Sequence, residues 1–532
     1  MGDARPAWTL GYYYCIANFI PSSIAGKLSR IGVHRLNGKG RIEVREERTM
    51  GNDTRATGIA SLPINRRDFV KSAGASLIAG IGAAPPANAQ KGAGRTLLKG
   101  GAVLSFDRSV GDFDKADVLI EGRKIAAVQP NISATATVID ASHMVVLPGF
   151  IDTHHHCYQS ALRNVLANGL LSDYFRDISG AATEQYRPED AYVGNLIGAL
   201  RAIDAGITTI TDLSQVSNTP AHSDALIKGL KDSGIRAVYG YSRGSGAAQK
   251  WPDDVERLQK QHFASTDQLV TLALNTGIDK DQWLTARKYG LRIWTHVVGA
   301  NRGIGPDQVM KLGDDGLMGP DNVYIHFTNA TDAQMRRVKD TGGSLSIACP
   351  IEMVMRHGMP PVQQALDAGI RPSLSSDVET TMAADMFTQM RSAFTLQRAL
   401  VNERAIRGEQ GLPALLTARD VLEFATLQGA RTDGLDAKIG TLTPGKEADI
   451  VMLRTDLPNT LPFNNAYGAI VTAMDTSNVD TVFIAGRAMK RHGKLVGVDL
   501  ARVQRQAEAS RDYLVGKLGW PRSVTDTSRS GH

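Results

Sequence analysis

The amino-acid sequence predicts an α/β protein built on a (β/α)8 TIM barrel, with a small β-sandwich formed from the segments before and after the barrel. Eight short apolar runs begin near residue 146 and end near residue 377, and helical patterns separate them. Eight strand-then-helix units over about 250 residues are typical of this barrel. A doubly wound open sheet is the alternative, but no glycine-rich phosphate turn follows the first run.

The first 89 residues differ in charge from the rest of the chain. The 532 residues carry a net charge of +6, and residues 1–89 hold 12 basic and 6 acidic residues, so the remainder is neutral. Binding to phosphate groups needs a basic excess, so we expect no nucleic-acid partner. The three cysteines are too few for a disulfide scaffold.

Residues 50–89 predict a twin-arginine signal peptide. Arg66 and Arg67 form an arginine pair, a short apolar run follows at 72–82, and small residues stand at 87–89. We therefore expect the twin-arginine export machinery as a partner and a periplasmic or secreted mature protein. We expect no stable membrane insertion, because the apolar run is too short for a bilayer. A surface helix that carries two arginines is the alternative.

The predicted signal begins unusually deep in the chain. Met50 stands just upstream of it, so we expect residues 1–49 to be a leader that results from a misassigned start codon.

Two β-rich segments flank the predicted barrel. Residues 95–147 contain short strand patterns divided by Gly and Asp, as in an antiparallel unit, and similar patterns return at 440–495. We expect both segments to form one composite sandwich, with residues 148–439 inserted as the barrel. Residues 496–532 predict a C-terminal helix and tail. The helix would pack on the barrel or on a partner, which leaves a homo-oligomer open.

Histidine and aspartate stand where the barrel strands end. The first run ends with His154 and His156, which face the same side because they are two residues apart. The fifth run ends in His296, the sixth in His326 and the eighth in Asp377. Since the carboxyl ends of barrel strands gather at one mouth, we expect these side chains to meet. They suit one divalent metal, zinc first, with iron, nickel or manganese as alternatives.

Two motifs carry a family resemblance: Pro-Gly-Phe-Ile-Asp-Thr-His-His-His at 148–156 and Ile-Gly-Thr-Leu-Thr-Pro-Gly-Lys-Glu-Ala-Asp at 439–449. With them the chain resembles the amidohydrolase superfamily over about residues 95–495. The most similar branch is the metal-dependent group of cytosine deaminases and triazine chlorohydrolases and aminohydrolases. The resemblance implies a distorted barrel with a split sandwich.

The family pattern also implies roles for individual residues. His154, His156, His296 and Asp377 would be the metal ligands, and Asp377 would also act as a base toward the activated water. His326 would contact the substrate and stabilise the developing oxyanion. No lysine lies in the fourth run, so one metal is favoured over a lysine-bridged pair.

The fifth run departs from the deaminase pattern. Deaminase-like members have a Glu three residues after the fifth-strand histidine, whereas Gly299 stands here and cannot move a proton. Glu352 and Glu379 are candidate replacements, although ordinary loop carboxylates are the favoured interpretation. Gln159 and Arg163, together with Glu352, are candidate substrate-binding residues. Arg163 could equally pair with a carboxylate.

Four further residues have alternative interpretations. His222, His262 and His357 lie in helix or loop contexts, where we expect structural roles. Asp152 is expected to hold a ligand histidine by its second ring nitrogen, or simply to end the strand.

These observations predict a metal-dependent hydrolase that acts on a carbon–nitrogen bond other than a peptide bond, in a small amide, carbamate or cyclic substrate. An aminohydrolase of purine-like or triazine-like rings is the first alternative, and the missing Glu disfavours it weakly. An exported binding protein without turnover is the second alternative, against which the intact ligand set argues.

Overall fold

A computed structural model describes residues 94–301 and 303–525. The predicted signal peptide and the predicted leader at residues 1–49 lie outside the described residues. The strands are β1 (Arg95–Val103), β2 (Phe113–Glu121), β3 (Lys124–Gln129), β4 (Thr137–Asp140), β5 (Met144–Pro148), β6 (Phe150–His155), β7 (Ile207–Asp212), β8 (Arg236–Tyr241), β9 (Val270–Thr276), β10 (Ile293–Val297), β11 (Asn322–His326), β12 (Ser344–Ile347), β13 (Ser373–Leu374), β14 (Ile450–Arg454), β15 (Val479–Ile484), β16 (Arg487–Arg491) and β17 (Lys494–Leu495).

One sheet joins the two segments that flank the barrel. Its order is β17-β16-β15-β14-β5-β1-β2-β3, and β4 pairs with β1. The antiparallel pair of β5 and β14 connects the early and late parts of the chain. Apolar side chains of both parts, including Val118, Ile139 and Ile450, pack in one core. The predicted composite β unit is confirmed, although β1 also pairs in parallel with β4 and β5.

The second sheet is the barrel. Strands β6 to β13 follow one another in space in chain order, and all neighbours are parallel. The barrel closes where the Asp377 amide donates to the His154 carbonyl at 3.0 Å and the His156 amide donates to the Asp377 carbonyl at 3.0 Å. The eight-stranded barrel predicted from the apolar runs is confirmed.

The first apolar run is divided between the two sheets. The run begins near Val146, which lies in β5, whereas the barrel strand β6 begins at Phe150. Gly149 lies between them, and a Cβ atom there would come within 2.1 Å of the Thr208 side chain. Only glycine therefore fits where the chain passes from one sheet to the other.

The described helices are α1 (Leu171–Tyr174), α2 (Pro188–Asp204), α3 (Pro220–Ser233), α4 (Val255–His262), α5 (Lys280–Lys288), α6 (Pro306–Asp314), α7 (Asp332–Asp340), α8 (Cys349–Val354), α9 (Val362–Asp367), α10 (Met386–Ile406), α11 (Ala418–Glu423), α12 (Gly429–Thr432), α13 (Ala466–Gly468) and α14 (Leu500–Lys517). None of them is both long and apolar enough to cross a membrane.

Local sequence signals fix the ends of these helices. Helix α7 begins at a capping box in which the Thr331 hydroxyl accepts from the Gln334 amide. Helix α3 has proline at its start and ends at Gly234, which is left-handed with φ 76°. The predicted C-terminal helix is α14, and its Val503 packs on Leu196 and Leu200 of α2. It therefore covers the outside of the barrel.

Candidate active site

Three imidazoles and one carboxylate converge at the carboxyl ends of β6, β10 and β13. The Nε2 atom of His154 lies 3.1 Å from His156 Nε2 and 3.1 Å from His296 Nε2. Asp377 Oδ1 lies 3.5 Å from His154 Nε2 and 3.4 Å from His156 Nε2. The structure thus brings together the four residues that the family pattern implies as ligands.

These four side chains fit one divalent ion of the zinc type. Two ligand atoms bound to one tetrahedral zinc are about 3.3 Å apart. The distances from His154 Nε2 to His156, His296 and Asp377, and from His156 Nε2 to Asp377, lie in this range. Burial lowers the pKa of His154 and His296 well below the usual value and that of His156 to about 3. The rings are therefore neutral at neutral pH, and each can offer a lone pair.

A hydrogen bond at the ring nitrogen that faces away from the other ligands sets the orientation of His156. Its Nδ1 atom lies 2.7 Å from the Leu213 carbonyl oxygen, so a proton on Nδ1 is donated there and Nε2 faces the other ligands. The Leu213 amide in turn donates to the His155 carbonyl at 2.7 Å. The link between β6 and the end of β7 thus holds one ligand in its binding tautomer.

Asp152 does not hold a ligand histidine. Its carboxylate lies 3.2 Å from His155 Nδ1 and accepts from the Ser376 amide at 3.0 Å and from the Ser376 hydroxyl. The expectation that it orients a ligand ring is therefore wrong. Asp152 instead ties the first strand to the residue before Asp377, which positions that carboxylate indirectly.

His326 and Asp377 share an uncommon backbone conformation. Both are left-handed, with φ of 69° and 62°, although neither is glycine. Such residues are rare and concentrate at functional sites, where the surrounding structure must hold them. His326 Nε2 lies 3.5 Å from Asp377 Oδ2, so the predicted substrate-contacting histidine is beside the carboxylate.

Glu352 supports His326 from the side away from Asp377. It lies in the first turn of α8 and is completely buried, so it is not the ordinary loop carboxylate that we favoured. Its Oε1 atom accepts from the Ala348 amide at 2.9 Å and lies 3.0 Å from His326 Nδ1. Burial raises the pKa of Glu352 to about 8 and lowers that of His326 to about 3.

Gln159 and Arg163 lie outside the cavity that the metal-binding residues line. The Gln159 amide donates to the hydroxyls of Tyr158 and Tyr174 at 2.9 and 2.7 Å. Arg163 forms an ion pair with Glu379, in which Nη2 donates to both carboxylate oxygens at 2.9 and 2.7 Å. Glu379 is therefore paired with a cation, which argues against its use as a replacement for the missing acid. Neither Gln159 nor Glu352 belongs to the cavity wall.

A cavity of about 490 Å³ opens over the converging side chains. His156, His296, His326 and Asp377 line it. Its apolar and aromatic wall is formed by Leu171, Tyr174, Phe175, Trp251, Val298, Ile304, Met355 and Val378. Arg243 stands in the same wall, is exposed, and has no ion pair with a described residue. A volume of this size suits a small organic molecule.

His357 is a cavity residue that the sequence interpretation placed among the structural histidines. It lines the cavity, is 3% exposed, and neither ring nitrogen has a hydrogen-bond partner in the described chain. His222 and His262 do have such partners, at Tyr186 and Asp224, and the structural expectation fits them. The sequence around His357 contains no feature that distinguishes it from His222 and His262.

Gly299 is packed so closely that no side chain fits. A Cβ atom there would lie 2.2 Å from the Thr328 carbonyl oxygen and 2.5 Å from Asn329 Cβ. The Gly299 amide donates to the Thr328 hydroxyl at 3.1 Å. The Glu of deaminase-like members therefore cannot be accommodated at position 299, because Thr328 and Asn329 of the neighbouring loop occupy the space of its side chain.

A family model described as "Amidohydrolase family" matches residues 145–489, which is more than half of the chain. The chain belongs to the amidohydrolase family. As a member of this family it is an enzyme, a metal-dependent hydrolase of carbon–nitrogen bonds other than peptide bonds, and it acts on small molecules.

Individual amidohydrolases resemble the chain along nearly their whole length. The 5'-deoxyadenosine deaminase of Methanothermobacter thermautotrophicus is 28% identical over 444 residues, which cover 79% of this chain and 99% of the relative. The 5-methylthioadenosine/S-adenosylhomocysteine deaminase of Pyrococcus abyssi is 25% identical, with 76% and 96% covered.

Solved structures show the same fold. An adenosine deaminase from Xanthomonas campestris with bound zinc has a TM-score of 0.69 at 20% identity and covers 79% of this chain and 98% of its own. The zinc complex of an atrazine chlorohydrolase from Arthrobacter aurescens has a TM-score of 0.67 at 22% identity, with 78% and 100% covered.

Proposed function

We propose that the chain uses one zinc-type ion to hydrolyse the carbon–nitrogen bond of a small amide, carbamate or cyclic amide. The observation that supports it most is that His154 Nε2 lies 3.1 Å from the Nε2 atoms of His156 and His296 and 3.5 Å from a carboxylate oxygen of Asp377, directly beside a cavity that the last three residues line. His154, His156, His296 and Asp377 would hold the ion, and iron, nickel or manganese are alternatives to zinc.

The roles of the side chains follow from the directions of their atoms. A bound divalent ion supplies the Lewis acidity that activates water for attack. Asp377 turns Oδ1 toward the histidine ligands and Oδ2 toward His326, so Oδ2 can accept a proton from the attacking water and return it to the leaving nitrogen as the carbon–nitrogen bond breaks. His326 Nε2 points to the same place, where it stabilises charge on the attacked group, and Glu352 keeps the His326 ring in position.

The packing at Gly299 favours amide-type substrates over ring deamination by the family's usual route. Ring deamination requires protonation of a ring nitrogen, for which deaminase-like members use the Glu that Gly299 replaces. General acid–base assistance of this kind is worth roughly 10² to 10⁴ in rate. An amide carbonyl can be attacked without prior protonation of a ring, so the loss of that Glu costs less.

An aminohydrolase of purine-like rings is the second candidate. It is favoured by the relatives named as 5'-deoxyadenosine and 5-methylthioadenosine deaminases, which align over almost their full length. The cavity volume of about 490 Å³ is large enough for either class of substrate.

A substrate panel with the zinc-loaded enzyme separates the two candidates. The amide arm contains hydantoin, dihydrouracil, N-acetyl amino acids and phenyl carbamates, and the ring arm contains 5'-deoxyadenosine, 5-methylthioadenosine and cytosine. Mass spectrometry identifies the bond cleaved and an ammonia assay quantifies deamination. Turnover confined to the ring arm would refute the first proposal and support the second. No turnover in either arm, with zinc bound, would refute both.

We also propose that the mature enzyme is periplasmic or secreted and begins after the small residues at 87–89. The support is the ordered pattern of Arg66 and Arg67, an apolar run and small residues. Cell fractionation and N-terminal sequencing of the mature chain test this, with Arg66→Lys and Arg67→Lys together as the variant that should remain cytoplasmic. Recovery of an active chain that retains residues 1–49 would contradict the proposal.

A further inference from the structure

We infer that His357 contacts the substrate and binds its leaving nitrogen by a hydrogen bond, in the part of the cavity where Gly299 leaves no room for a Glu. This inference rests on the proposed function, because it assigns a contact within the same site. It does not depend on whether the nitrogen belongs to an amide or to a ring amino group.

The first support is an unmet hydrogen-bonding capacity. His357 is almost fully buried at 3% exposure, yet neither Nδ1 nor Nε2 has a partner among the residues that the structure describes. Buried polar atoms without partners are uncommon in folded proteins and call for an explanation. Because the ring lines the cavity, a bound molecule can supply the missing partner.

The second support is the distance from the reacting groups. The ring of His357 stands edge-on to that of His326, with centroids 4.7 Å apart. One ligand atom from each of His326, His357 and Asp377 lies within 4.8 Å of the others. A substrate carbon attacked between Asp377 and His326 would therefore have its nitrogen substituent within reach of His357.

The third support is that one residue, Thr328, both takes up the space of the Glu and holds the His357 loop. The Thr328 hydroxyl accepts from the Gly299 amide at 3.1 Å and donates to the His357 carbonyl at 2.8 Å. The His357 amide donates to the Glu352 carbonyl at 3.1 Å. Thr328 thus links Gly299, which lacks a side chain, to His357, which we infer to contact the substrate in place of the missing Glu.

Two substitutions at residue 357 test the inference. His357→Phe keeps an aromatic ring and removes both nitrogens, whereas His357→Gln keeps a donor and an acceptor. His262→Gln is the control, since His262 pairs with Asp224 outside the cavity. Steady-state kinetics are measured with the panel compound that the wild-type zinc enzyme hydrolyses fastest, and zinc content is measured on every variant.

We expect His357→Phe to lower kcat by about 10²-fold with zinc content unchanged, and His357→Gln to retain more activity than His357→Phe. Rates of His357→Phe within threefold of the control, or the reverse order of the two variants, would overturn the inference and leave the proposed function standing. Loss of zinc from His357→Phe would also overturn it, because His357 would then be a metal ligand.

Absence of wild-type turnover would refute the proposed function but not decide the role of His357. Calorimetric titration with 5'-deoxyadenosine then decides it. Binding to the wild-type zinc enzyme that His357→Phe weakens at least tenfold supports the contact. Equal binding to both, or no binding to either, overturns it.

Discussion

Replacement of Gly299 by alanine tests how tightly the loop beside the active site is packed. The added Cβ would lie 2.2 Å from the Thr328 carbonyl oxygen and 2.5 Å from Asn329 Cβ, whereas Cβ atoms essentially never come within 3.0 Å of such neighbours. Both neighbours belong to the segment after β11, so relief of the contact requires a movement of backbone. A side-chain rotation cannot provide it.

The expected loss of stability follows from overpacking of this kind, which typically costs about 1–3 kcal/mol. A change of about 1 kcal/mol shifts Tm by roughly 2–4 °C in domains of about 150–250 residues and by less in larger ones. The activity should fall as well, because His326 lies two residues before Thr328 and is held with φ 69°. A displacement of about 1 Å at such a group can cost up to 10²-fold in rate.

Gly303→Ala is the matched control in the same loop. A Cβ atom at Gly303 would meet its nearest neighbour, Asn301 Oδ1, at an ordinary 3.6 Å. Thermal unfolding and kcat/KM are compared for wild type, Gly299→Ala and Gly303→Ala. We expect the first variant to lose several degrees of Tm and at least tenfold in kcat/KM, and the control to match wild type. Equal behaviour of the two variants would show that the close contact at Gly299 does not exist in solution.

Three further predictions concern the metal-binding residues and their support. Chelation should abolish turnover and lower Tm, since an ion bound to the folded state stabilises it, and added zinc should restore both; full activity after chelation would refute a metal role. Asp377→Asn should lower kcat by about 10²- to 10⁴-fold with an unchanged circular dichroism spectrum, and wild-type activity would remove Asp377 from the mechanism. Glu352→Gln should lower kcat by about 10- to 10²-fold, while Glu352→Ala should also cost about 1–3 kcal/mol because the buried Ala348 amide loses its acceptor. Denaturant unfolding separates these last two effects, and equal stability of both Glu352 variants would contradict the contacts.

The sequence predicted the barrel and the converging histidines because both depend on short-range rules. Alternation along a strand places His154 and His156 on one face, and parallel strands bring His296 and Asp377 to the same rim. These rules do not require knowledge of any particular contact. The resemblance to amidohydrolases then implied which of the rim residues are ligands, and the Nε2 distances of 3.1 Å agree with that set.

Other features depend on contacts between distant parts of the chain and could not be predicted in this way. The first run divides at Gly149, where the space for a side chain is taken by Thr208, 59 positions later in the chain. Glu352 resembled a loop carboxylate because its partner, His326, lies 26 residues earlier.

The contacts around Thr328 explain why the missing Glu cannot be restored by one substitution. A Glu at position 299 would displace the Thr328 carbonyl, and the hydroxyl of the same residue holds the His357 loop. The change at position 299 is therefore coupled to the loop that carries His357. Conversion of this site to the deaminase pattern would require the backbone at Thr328 and Asn329 to move as well, in addition to the change at position 299. Gly299→Glu alone should lower stability without a gain in ring deamination, for the same steric reason that applies to alanine.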